Sequence, residues 1–383
     1  MDRVIYMDYQ STTPCDRRVL DAMLPYFCED FGNPHSSTHV MGRDAGKVVQ
    51  HAREQVADII KVQANGIIFT SGATEANNLA IRGAAHFYGD KRKKVIVSAI
   101  EHKCVLESAA SLREEGFKVV IAPVKENGIV DMDFMRENID DDTLLVSVMT
   151  VNNEIGVVQP VIDISELCHA RSVIFHSDAA QAVGKIHIDA SSVDLMSISA
   201  HKIYGPKGIG ALYVAPSMRV KPILFGGGQE RGMRSGTLPT PLCVGFGKAC
   251  EIAKNEIDQE SSRLTELKNY FIDRILKELP KVYLNGDREM RIPGCLNFSF
   301  EGVEGEGIML GMPEVCVSSG SACTSAVLEP SYVLHALSVR EDLAHSSLRI
   351  GMGRFTTFDD VRYVVDRIVQ VVTRLREMSP LWS

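Results

Sequence analysis

The chain has no C-x-x-C pair, a single tryptophan and no excess of basic residues. It also lacks any apolar run approaching the roughly 18 residues that a membrane span needs. Each absence excludes a class of protein. The nine cysteines are odd in number and scattered. That argues against a disulfide framework and against a self-contained zinc or iron–sulfur centre. Most of them are expected to be small buried hydrophobes. With 41 basic and 49 acidic residues the formal net charge is −8, which offers no footprint for nucleic acid or an anionic membrane. The opening "MDRVIYMDYQSTTP" has no basic stretch ahead of an apolar core, so no secretory leader is expected. The expected setting is the reducing cytoplasm, with no direct nucleic-acid partner and no membrane.

What remains is an ordinary globular composition, 45% hydrophobic and 23% charged, over 383 residues. That length suits two domains, or one large unit with an appendage. The middle of the chain alternates short β-rich runs with helical patterns. The runs "GIIFT" (66–70), "KVIVS" (94–98), "KVVIA" (118–122), "LLVSVM" (144–149), "VIFHS" (173–177), "DLMSIS" (194–199) and "GIGALYV" (208–214) read as strands. Several are nearly continuous in apolar residues, as in a parallel sheet covered on both faces. Between them "VVQHAREQVADII" (48–60) places Val49, Ala52, Val56, Ile59 and Ile60 on one helical face. The pattern predicts an α/β domain around a mostly parallel sheet. After about residue 250 the character changes. A helix is expected over 258–279, a strand with one wet face at "CLNFSF" (295–300), and a last helix over 358–378. These form a smaller α+β domain. The division expected is 15–257 for the large domain, and 1–14 with 258–383 for the small one.

Four stretches carry chemistry. "TSGATEANNLA" (70–80) follows a strand and opens a helix, where free N–H groups favour a phosphate; a plain capped helix is the alternative. "SAHKIYGPKGIG" (199–210) puts Lys202 after a buried-looking run. A lysine near apolar walls has a lowered pKa and can condense with a carbonyl; a snorkelling surface lysine is the alternative. "FHSDAAQAVGK" (175–185) puts Asp178 at the carboxyl end of a strand, where ligands of open α/β sheets sit. There it either caps a helix or pairs with a cationic ring nitrogen, as the pyridinium of pyridoxal phosphate requires. "IEHKCV" (100–105) adds His102, able to stack on a ring or to move protons.

With these motifs the chain resembles the cysteine desulfurases of the NifS/IscS type, in the class V aminotransferase group of fold type I pyridoxal phosphate enzymes. The likeness runs through "YMDYQSTTP" (6–14), "GNPHSSTH" (32–39), "VNNEIGVVQP" (151–160), "GGGQERGMRSGTLPT" (226–240), "VSSGSACTSAVLEPSYVL" (317–334) and "SSLRIGMGRFTT" (346–357), besides the four stretches above. It implies a large domain with a mostly parallel sheet sandwiched by helices, plus a smaller α+β domain that carries a cysteine loop at about 317–328.

The resemblance also implies roles. Lys202 would hold pyridoxal 5'-phosphate covalently and move the substrate's α-proton. Asp178 would pair with the pyridine nitrogen, Gln181 with the phenolic oxygen, and His102 would stack on the ring. Ala73 and Thr74, Ser199 and His201, and Thr237 of a second subunit would hold the phosphate, and Asn153 and Ala200 would also contact the cofactor. Asn153 and Arg349 would hold the substrate carboxylate. Cys323, on a Ser/Gly/Ala-rich carrier, would take sulfur from L-cysteine as a persulfide, with His102 assisting its deprotonation, and leave L-alanine. The implied partners are a second copy of the chain, an iron–sulfur scaffold protein and other sulfur acceptors such as those of tRNA thiolation. No resident metal is implied, although Cys323 could ligate a cluster jointly with a scaffold.

Two positions depart from the family pattern without removing a required group: Gln229 stands where His is usual, and Ala200 where Gly is common. Relatives of the iron–sulfur branch continue past "SPLWS" (379–383) with residues that help dock a scaffold. Two rival functions remain. A selenocysteine lyase, or another class V lyase or transaminase, would need no Cys323. An iron–sulfur or metal-binding scaffold would use several of the nine cysteines.

Overall fold

Seven runs rich in Val, Ile and Leu assemble into one sheet. The structure is a computed structural model and describes residues 4–319, 331–379 and 382. Cys323 lies outside the described residues. The strand order is Ile67–Thr70, Gly210–Val214, Leu195–Ser199, Ile174–Asp178, Thr143–Ser147, Lys94–Ser98 and Lys118–Ala122. Gly210–Val214 is antiparallel to both of its neighbours, and the remaining pairs are parallel. The mostly parallel sheet expected from the apolar runs is thus present, with strand ends moved by a residue or two. Every strand except the edge strand Lys118–Ala122 is buried along its full length, which is why these runs do not alternate.

Helices cover both faces. On one side the helix Val40–Ile59 buries Ala45, Val49, Ala52 and Val56, spaced three or four apart. It starts earlier than the 48–60 pattern because His39 Nδ1 caps it, accepting from the Gly42 N–H at 3.1 Å. On the other side the helix Ala73–Tyr88 buries Ala76, Leu79, Ala80 and Ala84 against Ile68, Val95, Val97 and Leu212.

The helix expected over 258–279 in fact runs from Thr240 to Glu278. Gly245 and Gly247, poor helix formers, stand in its first turns. Their small size is what the packing needs: a Cβ on Gly247 would lie 2.8 Å from the Ala52 Cα of the facing helix. The position 257/258 falls inside this continuous helix.

A second core lies around the strand Cys295–Phe300, flanked antiparallel by Ser347–Gly351 and Val282–Leu284. Phe271, Phe298, Leu348, Val361, Val365 and Ile368 meet there, and Ile5 and Met7 join them. The wet face expected for Cys295–Phe300 is absent, since all six residues are buried. Its polar side chains are matched inside the fold. Asn285 Nδ2 donates to Asn297 Oδ1 and Ser299 Oγ, both at 2.8 Å, and Asn297 Nδ2 donates to the Glu154 carbonyl at 3.2 Å.

The last helix, Phe358–Met378, falls where its periodicity placed it. A capping box starts it: Thr357 Oγ1 accepts from Asp360 N, and Asp360 Oδ2 accepts from Thr357 N. The cysteines depart from expectation. Of the eight described, Cys168, Cys243, Cys250 and Cys295 are buried, Cys104 and Cys316 are half-buried, and Cys15 and Cys28 are exposed. No described helix is long and apolar enough to cross a membrane.

Candidate active site

At the carboxyl ends of the parallel strands a cavity of about 820 Å³ opens. Its first wall is the turn between Thr70 and the helix Ala73–Tyr88. Gly72 there has φ 154° and ψ −178°, a region essentially closed to residues with a Cβ. No described side chain caps this helix, so its first N–H groups and dipole are available to an anion. Glu75 braces the turn, accepting from Ser71 N at 2.8 Å while paired to Arg234 at 2.8 Å. Ala73 and Thr74 line the cavity at this turn.

Asp178 ends the strand Ile174–Asp178. Its Oδ2 accepts from Asn77 Nδ2 at 2.7 Å and its Oδ1 from the Ala180 N–H at 2.9 Å. Lys202 sits in the short turn Ala200–Lys202 after the next strand, and Nζ donates to the Gln10 and Ser11 carbonyls at 2.5 and 2.6 Å. Gln181 Nε2 donates to the same Gln10 carbonyl at 2.9 Å, and Gln181 Oε1 accepts from Lys185 Nζ at 2.6 Å. Burial, and then the charge of Lys202, push Lys185 down to about 7. Burial, and then Lys202, likewise push His201 down to about 4, so its ring is neutral near neutral pH. His201 Nδ1 faces Thr12 Oγ1 at 3.0 Å.

His102 caps the helix Lys103–Ser111: its Nδ1 accepts the Cys104 N–H at 3.2 Å. That assigns the proton of the neutral ring to Nε2. In this tautomer Nδ1 is the one basic nitrogen and the cap occupies it, so for the ring to take a proton as a base the cap must break. Glu101 beside it is fully buried, which raises its carboxyl well above the usual range; its Oε1 accepts from Met149 N at 2.6 Å.

Across the cavity Arg349, on the strand Ser347–Gly351, donates through Nη2 to Asp8 Oδ1 at 2.8 Å and through Nη1 to the Asn153 carbonyl at 3.1 Å. Its Nε is buried without a partner among the described residues, as are Asn153 Oδ1 and Ser199 Oγ. All three residues line the cavity. A buried polar group left unmatched costs about 1–3 kcal/mol, so a polar ligand here is favoured.

Of the residues singled out in sequence, Ala73, Thr74, His102, Asn153 and Asp178 line this one cavity, and so do Gln181, Ser199, His201, Lys202 and Arg349. Ala200 is buried in the core below it. Thr237 is exposed and is not among the lining residues of its own chain. Asp8, Asn77, Glu154 and Lys185 drew no attention as individual residues. All four stand in stretches that carried the resemblance, but Asp8, Asn77 and Glu154 find partners far away in the chain.

The residues present fit pyridoxal phosphate. An anion-ready helix start, a carboxylate at a strand end, an amine and unmatched polar atoms face one space. Among known proteins, a family profile described as aminotransferase class-V matches residues 5–364. The chain is 56% identical over 385 aligned residues to the "Cysteine desulfurase" of Homo sapiens, covering all of this chain and 84% of that protein. It is 55% identical over 383 residues to the "Cysteine desulfurase IscS" of Rickettsia typhi, covering 99% and 93% respectively. A solved structure described as a "NIFS-LIKE PROTEIN" superposes with a TM-score of 0.90 at 33% identity, over 97% of this chain and all of that one. The chain belongs to the class-V aminotransferase family, on its cysteine desulfurase branch.

Proposed function

We propose that the protein is a pyridoxal phosphate-dependent cysteine desulfurase, which converts L-cysteine to L-alanine and retains the sulfur as a persulfide on Cys323. The convergence of Lys202, Asp178 and Arg349 on one cavity carries this reading. They supply an amine for a carbonyl, a carboxylate for a ring cation and a planar fork for a carboxylate. When bound, the cofactor supplies an electron sink for the pair released at the substrate Cα. Ala73, Thr74, Ser199 and His201 would hold its phosphate, with Thr237 of the partner subunit. Asp178 would face the ring nitrogen, Gln181 the phenolic oxygen and His102 the ring.

The protein's own groups divide the remaining work. Arg349 and Asn153 orient the substrate carboxylate. Lys202 Nζ takes the Cα proton. The Cys323 sulfur attacks the substrate sulfur, so the substrate Cβ–S bond breaks and an S–S bond forms. The thiol hydrogen of Cys323 is balanced in the methyl group of alanine, and no outside oxidant or reductant is needed. In this reading residues 15–257 hold the cofactor, and residues 1–14 with 258–383 bring Cys323. The enzyme is a cytoplasmic homodimer that passes sulfur to an iron–sulfur scaffold and to other acceptors, including those of tRNA thiolation.

Alanine production from L-cysteine by the holoenzyme tests the activity. It should vanish in Lys202→Ala. Turnover that survives in that variant overturns the assignment. Retention of alanine release in Cys323→Ala would instead favour a lyase.

A further inference from the structure

The turn that follows the strand Ile174–Asp178 carries a second lysine behind the site. The segment coils tightly, with Val183 N donating to the Ala179 carbonyl at 3.0 Å and Ile186 N to the Ala182 carbonyl at 3.1 Å. Gly184 then takes φ 74°, and a Cβ there would lie 2.9 Å from Ile203 Cγ2, so the backbone is fixed just before Lys185. Gln181 and Lys185 share one side of this coil, and Lys185 Nζ donates to Gln181 Oε1 at 2.6 Å. Lys185 also lines a second, small cavity of about 20 Å³, together with Gln10, Tyr204 and Glu260.

A lysine enclosed in a fold ordinarily meets a carboxylate. This one meets a neutral amide. Lys202, Cys295, Glu260 and Arg349 act on it through charge. Burial, and then Lys202, hold it at about 7, and the amine keeps N–H donors in either protonation state. The amide of Gln181 has one oxygen and one NH2 group, and Lys185 occupies the oxygen. Nε2 therefore faces the other way, where it donates to the Gln10 carbonyl at 2.9 Å. Lys202 Nζ donates to that same carbonyl at 2.5 Å. Turned over, the amide would set its oxygen against the Gln10 carbonyl and its NH2 group against an amine, and both bonds would be lost. Gln181 also lines the large cavity, where the second hydrogen of its NH2 group is the one that suits an acceptor.

We propose that Lys185 is a positioning residue for the cofactor, which fixes the N–H end of the Gln181 amide toward the phenolic oxygen. The inference rests on the reading of Gln181 as the partner of that oxygen. Lys185 touches neither cofactor nor substrate in this account. It acts by denying the amide its inverted orientation, in which an oxygen would confront an oxygen.

The test titrates the violet absorbance of the holoenzyme with pH, a property of the bound cofactor and not of turnover. A fixed N–H donor favours negative charge on the phenolic oxygen, so the proton shared by that oxygen and the nitrogen of Lys202 leaves at a lower pH. Lys185→Met keeps an unbranched stem and removes the donor; Lys185→Leu removes it equally and serves as a second variant. The midpoint should rise by about one to two pH units, the size of a hydrogen bond to a charged group. Lys185→Arg, which restores N–H donors, should return most of that shift. Loss of the Lys185 charge alone would move the midpoint in the same direction, so the deciding comparison is made in Gln181→Met. There the further change Lys185→Met should add little, because the amide through which it acts is gone. An equal shift in both backgrounds overturns the proposal, as does a natural midpoint in Lys185→Met beside a raised one in Gln181→Met. A natural midpoint in Gln181→Met itself removes the partner on which the inference rests and overturns it too. The titration requires only cofactor bound at Lys202, so each of these outcomes is separate from the desulfurase reading, which alanine release from L-cysteine decides.

Discussion

Asn77 Nδ2 donates to Asp178 Oδ2 at 2.7 Å, and both side chains are buried. One helix thereby does two jobs: its first turn offers N–H groups to an anion, and its second turn orients the carboxylate at the end of a strand. Removing the amide leaves Asp178 without its side-chain donor. Asn77→Ala should weaken cofactor binding about tenfold, equivalent to about 1.4 kcal/mol, just under the range of about 1.5–3 kcal/mol for a hydrogen bond to a charged group. Titration of the apoprotein with pyridoxal phosphate, followed by absorbance, checks this. Unchanged affinity would show that Asp178 needs no such support.

Much of this site is legible in sequence, and the remainder is hidden for a physical reason. Asp178, Lys202 and His102 follow apolar strand runs, so chain order alone puts them at one edge of a parallel sheet. Asn77 and Asp178 are 101 residues apart, and Ser331 and Glu154 are 177 apart. No local pattern announces such pairs. The helix Thr240–Glu278 was only half visible, because glycines in its first turns, Gly245 and Gly247, are poor helix formers that close helix packing demands. The polar face of Cys295–Phe300 looked wet because its partner Asn285 lies on a separate strand end.

Arg53 and Glu230 form a buried pair whose loss should be felt in both stability and loading. Arg53 reaches both Glu230 oxygens, at 2.8 and 2.6 Å, and Glu230 Oε2 also accepts from Phe69 N at 2.7 Å. Phe69 lies on the strand that leads into the Gly72 turn. Glu230→Gln leaves Arg53 uncompensated, and breaking such a pair costs about 3–5 kcal/mol. Urea unfolding of the variant should show a loss of that order, together with poorer cofactor retention. A loss below about 1 kcal/mol would place the pair with ordinary surface ion pairs.

His176 should make stability depend on pH. It is fully buried between Ser147 Oγ at 2.8 Å and Ser197 Oγ at 3.0 Å, and burial pushes it down to about 3. An unfolded histidine titrates near 6.5. Between those values the unfolded chain holds a proton that the fold does not. This contribution is therefore complete above about pH 6.5 and is lost as pH falls, by up to about 1.4 kcal/mol per pH unit. His176→Gln should flatten that slope when urea midpoints are compared at about pH 5 and about pH 7. An unaltered slope would assign the acid sensitivity to other groups.

The central claim is that the thiol of Cys323 takes the substrate's sulfur. Mass spectrometry of the Cys323 peptide, after brief exposure of the holoenzyme to L-cysteine without reductant, tests it most directly. The account predicts one extra sulfur on that peptide, lost on reduction, and none on the peptides bearing the other eight cysteines. It also predicts that Cys323→Ser loads cofactor normally and releases alanine orders of magnitude more slowly. A Cys323 peptide that gains no sulfur while alanine accumulates at the natural rate would contradict it.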